Sequence, residues 1–209
     1  MQGSDPDRRD TPAAGGRLRE DLRSRRRRLV QDDLARIAVR LFLERGYDAV
    51  SVGEIAAEAG MSERTFFRYF TTKDEVLRRF RRSLVAALVR TFQQRPEGES
   101  PVRALRAAYV ETSRVPVANR PTIHVLGRLL LSTADVWASE LGESISEQDV
   151  AHELARRMDV GPDELRPAAV AAAVTAAAVT GWNRWVRSDG AADPADVVAA
   201  AIDALDLPR

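Results

Sequence analysis

The feature that most narrows the fold is a run of helix start and stop signals packed into residues 51–75. Ser51 and Glu54 form a Ser-x-x-Glu capping box, in which each side chain takes up a backbone N–H that the helix leaves unpaired. Val52, Ile55, Ala56 and Ala59 make a short buried face, and Gly60 stops the helix after about two turns. Met61 is a buried-type residue in the turn, Ser62 is a second N-cap, and a helix over 63–70 follows with almost no spacer. Thr72 and Glu75 set a Thr-x-x-Glu box at the head of a further helix through Leu77, Phe80, Leu84 and Leu88. Upstream, Leu34, Ile37, Ala38, Leu41 and Phe42 fall at i, i+3, i+4, i+7 and i+8, and Gly46 is placed to end that helix in a left-handed conformation. Two short helices joined by a Gly-containing turn are a helix-turn-helix, here over 51–70. Ala56 lets the two helices approach, Gly60 takes the turn, and Phe66 fills the joint core. A generic helical hairpin is the bland alternative.

Within the second helix four aromatic rings fall in five positions: Phe66, Phe67, Tyr69 and Phe70. On a helix Phe66 and Phe70 lie four apart on one face, which predicts core. Arg64, Phe67 and Arg68 lie on the other, with Tyr69 at the margin. Arg64 and Arg68 have the chemistry for bidentate hydrogen bonds to guanine, Thr65 for a phosphate or base edge, and Tyr69 Oη for a phosphate.

Charge separates along the chain. Residues 1–90 carry 20 Arg/Lys against 14 Asp/Glu, and residues 91–209 carry 12 against 17, within a total of 32 against 31. A basic N-terminal part joined to an acidic remainder suits a chain with one polyanion-facing module, although solvated surface charge produces the same imbalance. Residues 1–30 are rich in Pro, Gly, Asp and Arg and predict a disordered basic arm. Its run Arg25 to Arg28 suits either phosphate tracking or minor-groove entry, and a solubilising tail reads equally well. There is no cysteine, which excludes disulfides, thiolate metal sites and a cysteine nucleophile. No stretch of residues 1–30 has signal-peptide character, and no uncharged run reaches the roughly 18 residues of a membrane span. The expected location is cytoplasmic, with no membrane partner.

The stretch 34–77 resembles the N-terminal domain of TetR-family transcriptional regulators, and the resemblance covers about residues 31–80. It rests on Ala38, Leu41 and Phe42, the pair Gly46-Tyr47, Ile55-Ala56-x-x-Ala59-Gly60, Ser62, Thr65, Phe66-Phe67 and Tyr69-Phe70-x-x-Lys73. The resemblance implies that the exposed face of 63–70 enters the major groove and that Lys73, the one lysine of the chain, clamps a phosphate. Phe67 departs from the tyrosine common in the family, so one phosphate hydrogen bond is lost there. The candidate DNA-binding set is Ser51, Ser62, Glu63, Arg64, Thr65, Phe67, Arg68, Tyr69 and Lys73.

Residues 81–209 predict a helical ligand-binding and dimerisation domain, so the expected class is all-α with an N-terminal helix-turn-helix. A polar break at 93–101 precedes a helix marked by Val102, Leu105, Tyr109 and Thr112. Pro116 and Pro121 bracket a kinked segment before a helix carrying Leu126, Leu129, Leu130, Thr133, Trp137 and Leu141, and a shorter one carries Val150, Leu154 and Met158. Residues 168–182 (AAVAAAVTAAAVTGW) hold no charge. A helix apolar all round must be covered on all sides, and at about 22 Å this one is too short for a bilayer. Helices at about 165–188 and 194–206 are expected to pair with their two-fold mates in a homodimer, the alternative being a central helix buried within one subunit.

The functional expectation is a homodimeric repressor on a near-palindromic DNA operator, released by an unknown small-molecule ligand. Tyr109, Thr112, His124, Trp137 and Trp182 are candidate pocket residues, each also readable as plain core. An all-helical enzyme or metal sensor is the competing class. His124 and His152 are its two possible imidazoles, they sit on different predicted helices, and no His-Glu-x-x-His or Glu-x-x-His pair exists. No cofactor and no metal are expected.

Overall fold

Residues 14–132 and 145–207 of the computed structural model are described, with side chains over 22–131 and 148–207. Among them every regular element is helical. They are α1 (Ala14–Arg45), α2 (Val52–Glu58), α3 (Glu63–Phe66), α4 (Lys73–Gln93) and α5 (Pro101–Ser113), then α6 (Arg120–Ser132), entered through a 3-10 turn at Val117–Asn119. α7 (Ile145–Arg157), α8 (Leu165–Arg187) and α9 (Pro194–Asp203) complete the order. The all-α expectation holds.

The apolar side chains collect in two cores. The first joins Leu34, Ala38, Leu41 and Phe42 of α1 to Ile55 and Ala56 of α2, to Phe66 and Phe70, and to Val76 and Leu77 of α4. The second joins Leu88 and Phe92 of α4 to Leu105 and Ala108 of α5, Leu154 of α7, Val174 and Ala178 of α8, and Val198 and Ile202 of α9. α4 therefore serves both cores, as a strut about 32 Å long at 1.5 Å per residue. Leu84, predicted on its buried stripe, is 49% exposed because it falls between the two. α6 makes a second link: Leu126 is buried in the first core, with Ile123, Leu129 and Leu130 packed against it.

The far end of α4 is tied down by α7. Arg157 Nη1 donates to Phe92 O at 3.1 Å and Nη2 to Arg95 O at 2.7 Å, while the guanidinium lies 5.2 Å from the Phe92 ring centre. A cation is thus set at the C-terminal end of the helix, sharing Phe92 O with Arg95 N and taking up Arg95 O just beyond it. Beside it, Glu153 accepts from Gln93 Nε2 at 3.1 Å and from Arg156.

Two expectations need correction here. The basic arm predicted to be disordered over 1–30 is helical from Ala14, continuous with α1. The cause is extension from a helix that the Leu34–Phe42 packing already nucleates, through Leu and Arg, which are good helix formers. Leu22 and Leu29 are 58% and 59% exposed, so this stretch builds no core; residues 1–13 lie outside the described residues. The uncharged stretch 168–182 is the middle of a longer helix of 23 residues, which by length and composition is long and apolar enough to cross a membrane. It is covered on one side only, where Ala171, Val174, Ala178, Gly181 and Trp185 are buried. That side packs against α5, α7 and α9, as a core helix does. The other side leaves Ala168, Ala172, Ala176 and Val179 exposed.

Small residues set the α8–α9 separation. A Cβ at Gly181 would stand 2.9 Å from both Val197 O and Val198 Cα and 3.0 Å from Ala201 Cβ. Alanine in a helix interior normally gains roughly 0.5–1 kcal/mol over glycine. Here the obstacle is backbone that cannot swing aside, and overpacking costs about 1–3 kcal/mol. Gly181→Ala is therefore expected to lower stability despite its better propensity, measured as an earlier midpoint in urea unfolding.

Candidate nucleic-acid interface

The reading head is assembled by three caps. Ser51 Oγ accepts from Glu54 N at 3.2 Å and Glu54 Oε2 accepts from Ser51 N at 2.8 Å, completing the predicted box. These hydrogen bonds, Ser51 backbone first and then its side chain, and the nearby Arg45 hold the Glu54 carboxyl below its ordinary range. Ser62 Oγ accepts from Thr65 N at 3.2 Å and caps α3. Thr72 Oγ1 accepts from Glu75 N at 3.1 Å, but the return leg of this third box is displaced by one residue. Glu75 Oε2 accepts from Thr71 N at 2.6 Å and Thr71 Oγ1 at 2.9 Å, not from Thr72. Gly46 adopts φ +89°, the left-handed end that the sequence predicts, and Gly60, expected to stop α2 and take the turn, does so at φ +68°.

α3 is shorter than expected. The predicted helix over 63–70 has a regular α-helical part of four residues, Glu63–Phe66, and then tightens. Arg68 N bonds Thr65 O and Tyr69 N bonds Phe66 O, i to i−3 contacts that wind the last turn more closely. The division of faces survives. Phe66 and Phe70 are 0% and 2% exposed in the first core, whereas Phe67 is 51% exposed. Arg64 and Arg68 are exposed beside it and Thr65 is half-buried.

The remaining candidates have structural commitments. The Ser51, Ser62 and Thr65 hydroxyls are engaged in caps, Ser62 Oγ lying 3.0 Å from Thr65 Oγ1. Glu63 turns its carboxylate over the first turn of α2, where a Cβ at Gly53 would meet Oε1 at 2.3 Å; an acid is favourable at that helix end. Tyr69 is half-buried, its carbonyl accepting from Gln31 Nε2 at 3.0 Å. Lys73 Nζ donates to Tyr47 O and Val50 O, both at 2.9 Å, and lies 4.4 Å from the Tyr47 ring centre. The ammonium thus staples the α1–α2 loop to the head of α4, with one of its three N–H groups left over. Tyr47 Oη hydrogen-bonds Asp74, and burial, then that hydrogen bond, pushes the phenol pKa up. Gln31 and Tyr47 are site-building residues that periodicity cannot find, because their contacts come from 38 and 27 positions away.

The pocket candidates do not surround one space among the described residues. Tyr109 Oη is 2.7 Å from Thr175 Oγ1, and Trp182 packs in the same core with its ring 5.1 Å from Trp185. His124 sits apart, Nε2 3.1 Å from Ser188 O and the ring edge-on to Trp185 at 5.2 Å. Thr112 is exposed and bonds back to Ala108 O at 2.8 Å. Trp137, like Thr133 and Leu141, lies outside the described residues. Among the described residues no three acidic, His or Cys side chains converge as a metal site.

Residues 36–80 match the family model for bacterial regulatory proteins of the tetR family, and residues 99–208 match that of the MftR C-terminal domain. The chain belongs to the TetR family. It is 27% identical over 190 residues to MftR of Mycobacterium tuberculosis, named as a regulator of mycofactocin biosynthesis, covering 87% of this chain and 95% of that one. It is 36% identical over 104 residues to the HTH-type transcriptional regulator TcmR of Streptomyces glaucescens, a match spanning 50% of this chain and 44% of TcmR. The fold resembles that of Thermus thermophilus FadR, a TetR-family repressor crystallised with lauroyl-CoA. That likeness has a TM-score of 0.56 and 22% identity, and covers 86% of this chain and 96% of FadR. A Streptomyces coelicolor TetR-family regulator matches with a TM-score of 0.50 and 19% identity, over 87% of this chain and 82% of that one.

Lys73→Met keeps the stem and strips two carbonyls of a donor. It is expected to cost about 1–3 kcal/mol of stability, seen in urea unfolding without any DNA; a residue serving only as a phosphate clamp would leave the midpoint unmoved. Glu54 has a folded pKa below its unfolded value, so its capping contribution is present above about pH 4.3 and is lost as pH falls through the folded value. Glu54→Gln should flatten that acid limb when helix content is followed by circular dichroism.

Proposed function

We propose that this TetR-family chain is a homodimeric, sequence-specific DNA-binding repressor that a small molecule releases from a near-palindromic operator. The observation that carries it is the split of the 63–70 segment: Phe66 and Phe70 anchor it while Arg64, Phe67 and Arg68 stand outward. In this reading Arg64 and Arg68 meet base edges and Phe67 makes apolar contact with a thymine methyl or sugar. Tyr69 and the spare N–H of Lys73 meet phosphate. Ser51, Ser62, Thr65 and Glu63 hold the helix ends at the duplex surface.

The exposed small-residue side of α8, together with the exposed Ala200 of α9, is the proposed two-fold contact. It spaces two reading heads one helical turn, or a multiple, apart. Ligand coupling runs through α4, which serves both cores, and α6, which joins the first core to α8. A molecule wedged beside the Tyr109–Thr175 pair and Trp182 presses on the second core, shifting α4 and α6 and so the separation of the heads. The fold likeness to FadR makes fatty acyl-CoA the first ligand class to try.

Footprinting on duplexes selected from a random library should protect two half-sites, and light scattering at micromolar concentration should give twice the chain mass. A monomeric mass would contradict the dimer. Arg68→Ala is expected to cost about 1–3 kcal/mol on the selected duplex and to relax preference at one base pair. Equal losses on selected and random DNA would remove it from base reading.

A further inference from the structure

α1 projects beyond the first core as a helix whose last exposed turns carry Arg23, Arg25, Arg26, Arg27 and Arg28. Among the described residues none of these five has a carboxylate partner, and like charges three and four apart on a helix repel. The stretch is nevertheless fixed against the end of the reading head. Arg27 Cζ lies 5.8 Å from the Tyr69 ring centre, and one turn on Gln31 Nε2 donates to Tyr69 O at 3.0 Å. From the other side Arg79 of α4 donates to Asp32 at 2.8 Å and reaches Arg28 O at 3.5 Å. The arginine ladder and the outward face of Arg64 and Arg68 thus belong to one rigid unit. From Gln31 back to Arg23 the helix advances about 12 Å past Tyr69.

We infer that these turns of α1 form a second DNA-contacting element, a helical clamp on the phosphates flanking the half-site that α3 reads. The inference rests on the DNA-binding reading and adds to it a contact outside the helix-turn-helix. Charge decides the partner: five guanidiniums on one short stretch, with no carboxylate partner among the described residues, match the phosphate ladder of a duplex. Shape decides the mode. A helix about 10–12 Å across cannot enter a minor groove about 6 Å wide, so the clamp rides on the backbone and reads no bases. It supplies affinity that salt removes, while specificity stays with α3.

The test uses the full-length protein and a duplex that the wild type selects from a random-sequence library, with affinity measured against potassium chloride concentration. Combined Arg23→Gln, Arg25→Gln and Arg26→Gln substitutions spare Arg27 and Arg28, which touch Tyr69 and α4. The expected result is a log–log salt slope shallower by at least about 2 per dimer, at roughly 0.9 per lost phosphate contact. The ratio of selected to scrambled duplex should not change. The matching Arg→Lys triple variant should keep the wild-type slope, which separates charge from folding. An unchanged slope in the glutamine variant overturns the clamp and leaves α3 reading intact. A changed sequence preference overturns it in favour of base contact. Failure of the wild type to select any duplex instead removes the DNA-binding reading itself.

Discussion

A helix of four residues has no stability of its own, and α3 exists because Phe66 and Phe70 are withdrawn from water between α1, α2 and α4. Each such ring contributes about 1.5–3 kcal/mol on burial, more than any cap in the motif. Because the two rings face inward, Arg64, Phe67 and Arg68 must face outward. Orientation of the reading surface is a by-product of core packing, and the caps at Ser51, Ser62 and Thr72 sharpen where each helix starts without deciding which way it points.

The same core is tied to the rest of the chain by few, identifiable parts. α4 leaves it after Phe80 and enters the second core at Leu88, its near end stapled by Lys73 and its far end held by Arg157. α6 reaches back with Leu126. A strut held at both ends transmits displacement instead of absorbing it, since packed interiors yield little. The described structure therefore offers a mechanical route between the helical domain and the reading head.

Lys73 illustrates how a residue can be singled out from the sequence while part of its work stays out of sight there. Its solitary status and its place after Tyr69-Phe70 single it out, and resemblance implies a phosphate clamp. Two of its N–H groups are spent on the carbonyls of Tyr47 and Val50. A compact ammonium with three rotatable donors can serve a loop and an anion together, which a planar guanidinium fits less well. That is a physical reason for one lysine in a chain otherwise supplied with arginine.

What the sequence determined by itself was whatever depends on neighbours within about four residues. The caps, the left-handed glycine at 46, the turn at Gly60, the helical class and the inward and outward faces around Phe66 all follow from spacing. Tertiary structure decided what spacing cannot encode. Contacts between distant positions bring Gln31 to Tyr69 and Tyr47 to Asp74, let Gly181 admit the α9 backbone, and divide the candidates Tyr109, Trp182, His124 and Thr112 among separate surroundings. They also decided that an arginine run with the composition of a loose arm continues as helix, because the packed Leu34–Phe42 segment nucleates turns that no local signal would start.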